Sequence, residues 1–295
     1  MNDKPIISFG ELTKPATVLI EKISDAVGGL FKPYQIIRVA KAEAEADQIR
    51  TESQIQVTDL HKRAMRRFLE EEAKKQSNME SITAKALPLL EEKSSPQNVE
   101  DDWITNFFDK SRIVSDADMQ QLWSKVLAGE ANAPGKFSKR TVNLLADLDK
   151  RDAELFTELC GFDWVIGKVP VPLVFDHRAE LYNSHRIYFS NLVHLEALGL
   201  IRFDSLGGLG GHQCEQLPKT FTVCYYGRPV ELTFPKDADN ALDVGLVLLT
   251  HAGHELSYIC GSKPVEGFFE FVCQRWESQS LIPKKDTESG TPAVS

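Results

Sequence analysis

The 295-residue chain has no run of about 18 consecutive apolar residues, so no membrane-spanning helix is expected. Its first residues, MNDKPIISFGELTKP, lack the basic start and apolar stretch of a secretion signal. Cysteine is sparse: residues 160, 214, 224, 260 and 273 form no CxxC pair, and the total is odd. Such a scattered set reads as reduced thiols in a cytoplasmic protein, each filling the place of a small buried hydrophobe. Positive charge is also in deficit, with 34 Lys and Arg against 43 Asp and Glu, a net charge of −9. A field of that sign repels phosphate backbones, so nucleic-acid binding would need a local basic patch.

What is present suits a globular chain of one large or two ordinary domains, 42% hydrophobic and 26% charged. Residues 12–33 read as an amphipathic helix, with Pro15 in the first turn and Leu19, Ile23, Val27 and Leu30 at helical spacing. Its polar side mixes Glu21, Lys22, Asp25 and Lys32, whereas a helix lying on lipid is usually basic there. The stripe is therefore expected to pack on protein, and peripheral membrane contact by residues 15–32 is the lesser reading. From Tyr34 to about Ser77 no glycine or proline interrupts a sequence rich in helix formers. Firmly apolar residues are few in its later part, so it reads as a long polar arm over 35–78. Such an arm is either completed by another chain or simply solvated; Arg63, Arg66, Arg67 and Phe68 are its candidate partner contacts.

Residues 79–160 read as a helical bundle. Trp103 and Phe107 stand one turn apart, and SDADMQQLWSKVLAGE carries a stripe of Met119, Leu122, Trp123, Val126 and Leu127 closed by Gly129. Ser115 and Asp118 have capping-box spacing, Ser138 opens the next helix, and Asp149 and Asp152 repeat the signature before Leu155, Phe156 and Leu159. After Gly161 prolines and β-branched residues arrive. TFTVCYYGRPVELTF reads as a hairpin, NLVHLEALGLI as a helix running into a strand, and LVLLTHAGHEL as a strand leading to a helix capped by Thr250. Pieces of this kind frame a winged helix. The expected fold is thus mostly α with a C-terminal α+β part: an N-terminal helix over 1–34, the arm, the bundle, a winged-helix-like domain over 161–275 and a disordered tail over 276–295.

Three stretches bear these residues together: GELTKPATVLIEKISDAVGGLFKPYQIIRVAKAEAEAD, QSNMESITAKAL, and DDWITNFF through SDADMQQLWSKVLAGE to PGKFSKRT. They resemble the bacterial domain-of-unknown-function 2806 family over roughly residues 8–275. The LEALGLI and LTHAGHEL elements look like the C-terminal part of that family. The N-terminal portion is similar, more loosely, to abortive-infection alpha proteins, which implies phage defence as a setting. The resemblance imports no catalytic residue.

Enzymatic patterns fail on spacing. GEANAPGKFS places its glycines six apart, separates Lys136 from Ser138, and follows a helix where a phosphate loop follows a strand. HAGHE puts Glu255 after both histidines, His251 and His254, instead of between histidines four apart. His212 and Cys214 are metal-ligand types with no paired spacing. Asp101–Asp102 and Asp116–Asp118 sit at helix starts, where carboxylates meet the helix dipole. No metal or cofactor is expected and no catalytic residue is assigned. A DNA-reading helix would be SHRIYFSNLVHLEALG, with His185, Arg186, Asn191 and Arg228 as candidate contacts. The surrounding cations Arg178, Arg186, Arg202, Lys219 and Arg228 are matched by Asp176, Glu180, Glu196, Asp204 and Glu215. The leading expectation is a non-enzymatic interaction or regulatory protein that self-associates or binds a protein partner; the alternative is a DNA-binding transcriptional regulator.

Overall fold

Side chains that satisfy the first amide groups of a helix set where four of these helices begin. A computed structural model describes residues 12–28, 59–204 and 211–282, and the chain divides into two compact units, residues 1–150 and 151–295. In the first, α1 (Lys14–Val27) starts at Thr13, whose hydroxyl accepts from the Ala16 amide, and ends at Gly28 in the left-handed region at φ 83°. Leu19, Ile20 and Ile23 are buried, and α1 packs against α3 (Asp101–Ser111), so its apolar stripe faces protein. Between them in sequence lies α2 (Asp59–Ala86). Next come α4 (Ala117–Asn132) and α5 (Lys139–Asp147), the latter capped as expected by Ser138, which accepts from the Thr141 amide.

The cap of α4 differs from the expected one. Asp116 accepts from the Asp118 and Met119 amides, while the Ser115 hydroxyl accepts from the side chain of Asn78, 3.4 Å away. A carboxylate at a helix N-terminus also meets the dipole, which favours Asp116 over the neighbouring hydroxyl. An aromatic core holds this unit: Trp103 stacks on Phe107, which meets Trp123 edge-on, each at 5.1 Å between ring centres.

The second unit is α+β. It begins with α6 (Lys150–Cys160), β1 (Asp163–Ile166), β2 (Val169–Pro172), α7 (Glu180–Asn183), α8 (Phe189–Ala197) and β3 (Ile201–Phe203). Then follow β4 (His212–Leu217), β5 (Thr220–Tyr225), β6 (Arg228–Thr233), β7 (Asn240–Gly245), β8 (Val247–Leu249), α9 (His251–Ser257) and α10 (Phe268–Ser278). The sheet order β2-β1-β5-β6 is antiparallel throughout; β3 pairs with β8 and β4 with β7. The anticipated hairpin is β5–β6, with Phe221 opposite Leu232 and Val223 opposite Val230. Its turn is Tyr226–Gly227, both at positive φ, the two-residue turn whose twist suits a hairpin. Pro229 consequently lies in β6 opposite Cys224, and not in the turn. Prolines also stand in the edge strand β2, at 170 and 172. Thr250 caps α9 through the Gly253 amide, and a Cβ on Gly253 would lie 2.0 Å from the Leu200 carbonyl oxygen, so only glycine fits that approach.

Three expected boundaries move. The arm does not stop at 78, because α2 continues to Ala86 with Asn78, Ile82, Thr83 and Ala86 buried. The bundle closes at 150 instead of 160, because α6 belongs to the second unit. The disordered tail does not start at 276: Trp276 is buried, and the Leu281 carbonyl accepts from the Thr233 amide. Residues 1–11 and 29–34 of the N-terminal segment, 35–58 of the arm, 205–210 and 283–295 lie outside the described residues.

Candidate interaction surfaces

Helix α2 is two half-helices of opposite character. From Asp59 through Glu71 every residue is exposed, including Leu60 at 65%, Met65 at 63%, Phe68 at 60% and Leu69 at 62%. The partner-contact candidates Arg63, Arg66, Arg67 and Phe68 all fall here. Arg66 pairs with Glu70 and Arg67 with Glu71, each at 3.0 Å one turn on, which supports the helix in solvent. The second half docks on α4 through a polar network centred on buried Gln120. The Gln120 amide donates to the Val114 carbonyl at 2.9 Å and to Asn78 Oδ1 at 3.3 Å; its oxygen accepts from Ser81 and Lys85, both at 2.8 Å. Asn78 in turn donates to the Arg112 carbonyl at 2.9 Å. Each group is satisfied, so the network sets the register of α2 on its neighbours without leaving a buried polar atom unpaired.

The loop over 133–138 explains why a phosphate cradle is wrong in substance as well as spacing. The buried Glu130 carboxylate accepts from the Gly135 amide at 2.6 Å and the Phe137 amide at 2.8 Å, and Trp103 Nε1 donates to the Phe137 carbonyl. The amides that would hold an anion are already turned to the protein's own carboxylate. The acidic pairs serve similar local ends: Asp101 meets Lys22, Asp102 meets Lys139, and Asp118 meets Lys150. Amide hydrogen bonds, first that of Met119 and then that of Asp118, together with the charge of Lys150, lower the Asp116 pKa.

In the second unit the nucleic-acid candidates do not converge. The helix expected over 184–199 starts only at Phe189, because Arg186 takes a left-handed φ of 61° that ends the preceding turn. His185 Nδ1 lies 3.2 Å from Glu158 and its ring sits edge-on to Phe162. Asn191 donates to the Arg186 carbonyl. The Arg228 guanidinium lies 3.0 Å from Glu270 and 3.4 Å above the Phe269 ring. Arg186 itself is exposed, and α8 presents Phe189 and Val193 beside it.

The two histidines of HAGHE take separate partners: His251 lies 2.7 Å from Glu255, and His254 lies 3.3 Å from the Tyr258 hydroxyl. Among the described residues no group of three or more His, Cys, Asp or Glu is placed to hold a metal ion. Nor is any helix of them long and apolar enough to cross a membrane. Sequence reasoning missed one cluster altogether, formed by Cys160, Asp163 and Cys260. Desolvation raises the pKa of the Cys160 thiol and of the Asp163 carboxyl well above their ordinary values. The 100-residue gap between the cysteines carries no signal that would pair them.

The chain is a mixed α and β protein, a helical unit followed by an α+β unit. The family model described as "Protein of unknown function (DUF2806)" matches residues 62–273, most of the chain, and the protein belongs to that family. No curated protein and no solved structure matches it.

Proposed function

We propose that this protein acts by contact, as a non-enzymatic interaction or regulatory protein whose exposed half of α2 binds a second copy of the chain. The observation that carries the reading is the apolar set Leu60, Met65, Phe68 and Leu69, each more than half exposed on a helix whose following turns are docked. Leaving such a set in water forfeits burial that a partner would supply. Charge order suggests the orientation. Lys62, Arg63, Arg66 and Arg67 precede Glu70, Glu71 and Glu72, so an antiparallel copy sets the basic run of each helix against the acidic run of the other. The looser N-terminal likeness to abortive-infection alpha proteins supports phage defence as the setting, and the scattered cysteines support a cytoplasmic one. Light scattering on the full chain tests the contact: a mass above 33.1 kDa at high micromolar concentration is expected, and Phe68→Asp with Leu69→Asp should return it to monomer. A wild-type chain that stays monomeric there removes the reading.

A second reading, a DNA-binding regulator, has one arrangement in its favour. Helix α8 passes through Gly199 into β3, which pairs with β8 and leads to the capped α9, a winged-helix-like order with Arg186 and Arg202 exposed. Gel shifts with genomic fragments at low and high salt decide it, since contacts to phosphate weaken steeply as salt rises. Absence of salt-sensitive binding in the micromolar range eliminates it.

A further inference from the structure

The four-stranded sheet buries one face and leaves part of the other open. Trp164, Ile166, Val223 and Tyr225 are buried on the core side. Side chains alternate along a strand, so Asp163 and Val165 of β1 and Cys224 of β5 belong to the opposite face. The register sets Val165 across from both Pro170 of β2 and Cys224, a short apolar row over three strands. This row, with Asp163, Tyr226 and Tyr258, lines a hollow of about 300 Å³. That volume lies at the small end of the range for ligand pockets.

Both tyrosines are exposed, as is Val165, yet the rings are anchored at their far ends. The Tyr226 hydroxyl lies 3.1 Å from the Cys160 carbonyl and 2.6 Å from the Ser262 hydroxyl. The Tyr258 hydroxyl lies 3.2 Å from the Lys168 carbonyl and 3.3 Å from His254 Nε2. Asp163 is half-buried, and its Oδ1 is out of solvent with no hydrogen-bond partner. Burial raises its pKa well above the ordinary carboxyl value, the mark of an acid with no cation to compensate it.

We propose that this hollow binds a small free alkylammonium ion, its charged head at Asp163 and its apolar chain along Val165 and Pro170. Each part of the lining suits one part of such a ligand. The head supplies the counter-charge that Asp163 lacks and favours the ionised carboxylate, whose proton leaves to solvent. Tyrosine rings attract a cation that has shed part of its water. Because their hydroxyls are already held, little further ordering is required on binding. The Pro170–Val165–Cys224 row takes the chain out of water. A divalent metal is a poorer fit, since it draws on about six or more oxygen ligands. Among the described residues no group of three or more His, Cys, Asp or Glu is placed to hold one.

Titration of the full-length protein, carbon-13 labelled in its tyrosine rings, with n-butylammonium chloride tests the site. Spectra of Tyr226→Phe and Tyr258→Phe assign the two signals. Both should shift and saturate while the other tyrosine signals stay in place. n-Butanol, which has the same shape without the charge, should bind about tenfold more weakly or less, as should n-butylammonium to Asp163→Asn. Nα-acetyl-lysine N-methylamide carries the same head on a backbone, and should bind no more tightly than n-butylammonium. Equal binding of the alcohol, an equal shift with potassium chloride, or no saturable shift in wild type would overturn the assignment without recourse to any variant at Asp163. Tighter binding of the lysine derivative would overturn it as well, since a lysine of a protein would then be the ligand.

Discussion

The two halves of α2 share one helix and nothing else. From Asn78 onward the helix is anchored by Ile82 and Ala86 and by the Gln120 network. From Asp59 through Glu71 every residue is exposed, and one-turn ion pairs brace the helix there. Helix propensity alone keeps a stretch of that length marginal in water, so the docked half acts as the nucleus from which the exposed half extends. Stability and contact are thereby separated along a single element: substitutions in the exposed half should leave the stability set by the docked half unchanged, whereas loosening the docked half also loosens the exposed one.

The most severe break should come from Ile82→Ala, which empties a fully buried site and is expected to cost about 2–5 kcal/mol in a denaturant titration. Gln120→Ala should cost less, about 1–3 kcal/mol, because it strands the Val114 carbonyl and three side chains from α2. If Gln120→Ala proves as stable as wild type, the polar network is not what docks the helix. Phe68→Ala sharpens the contrast from the other side: measured at dilute concentration it should shift stability by less than about 0.5 kcal/mol, while weakening self-association. The smallest effect concerns the cap of α4, on which the docked half rests. Because the folded pKa of Asp116 lies below its unfolded value, its contribution is complete above about pH 3.9 and disappears as pH falls through the folded value. Asp116→Asn retains a capping oxygen, so it should flatten the acid limb of a stability–pH curve measured by urea unfolding, with wild type ahead at neutral pH and the two converging in acid.

Local features were legible. Ser138, Thr250 and the β5–β6 alternation each depend on neighbours within a few residues, and the structure places all three as their spacing indicates. Adjacent polar residues at one helix start defeated the same logic, since Ser115 and Asp116 compete for one role; the helix dipole favours the carboxylate, and the Asn78 side chain occupies the Ser115 hydroxyl. Gln120 carries no local signal of burial; its buried state depends on α2 arriving from some forty residues away. The charge balance around the proposed reading helix anticipated that cations would be matched, yet not that His185 and Arg228 would be tied to Glu158 and Glu270. The approach of Cys160 to the segment around Ser262 was invisible for the plainest reason, a separation of some hundred residues bridged by a tyrosine on a third segment.

Pro170 and Pro172 bring a last consequence. They occupy one rim of the four-stranded sheet, where neither has an N–H to offer, while on the opposite rim β6 carries Pro229 and gives its Thr233 amide to Leu281. A stranger's strand therefore finds few free rungs to climb on either side, and runaway β-stacking is discouraged.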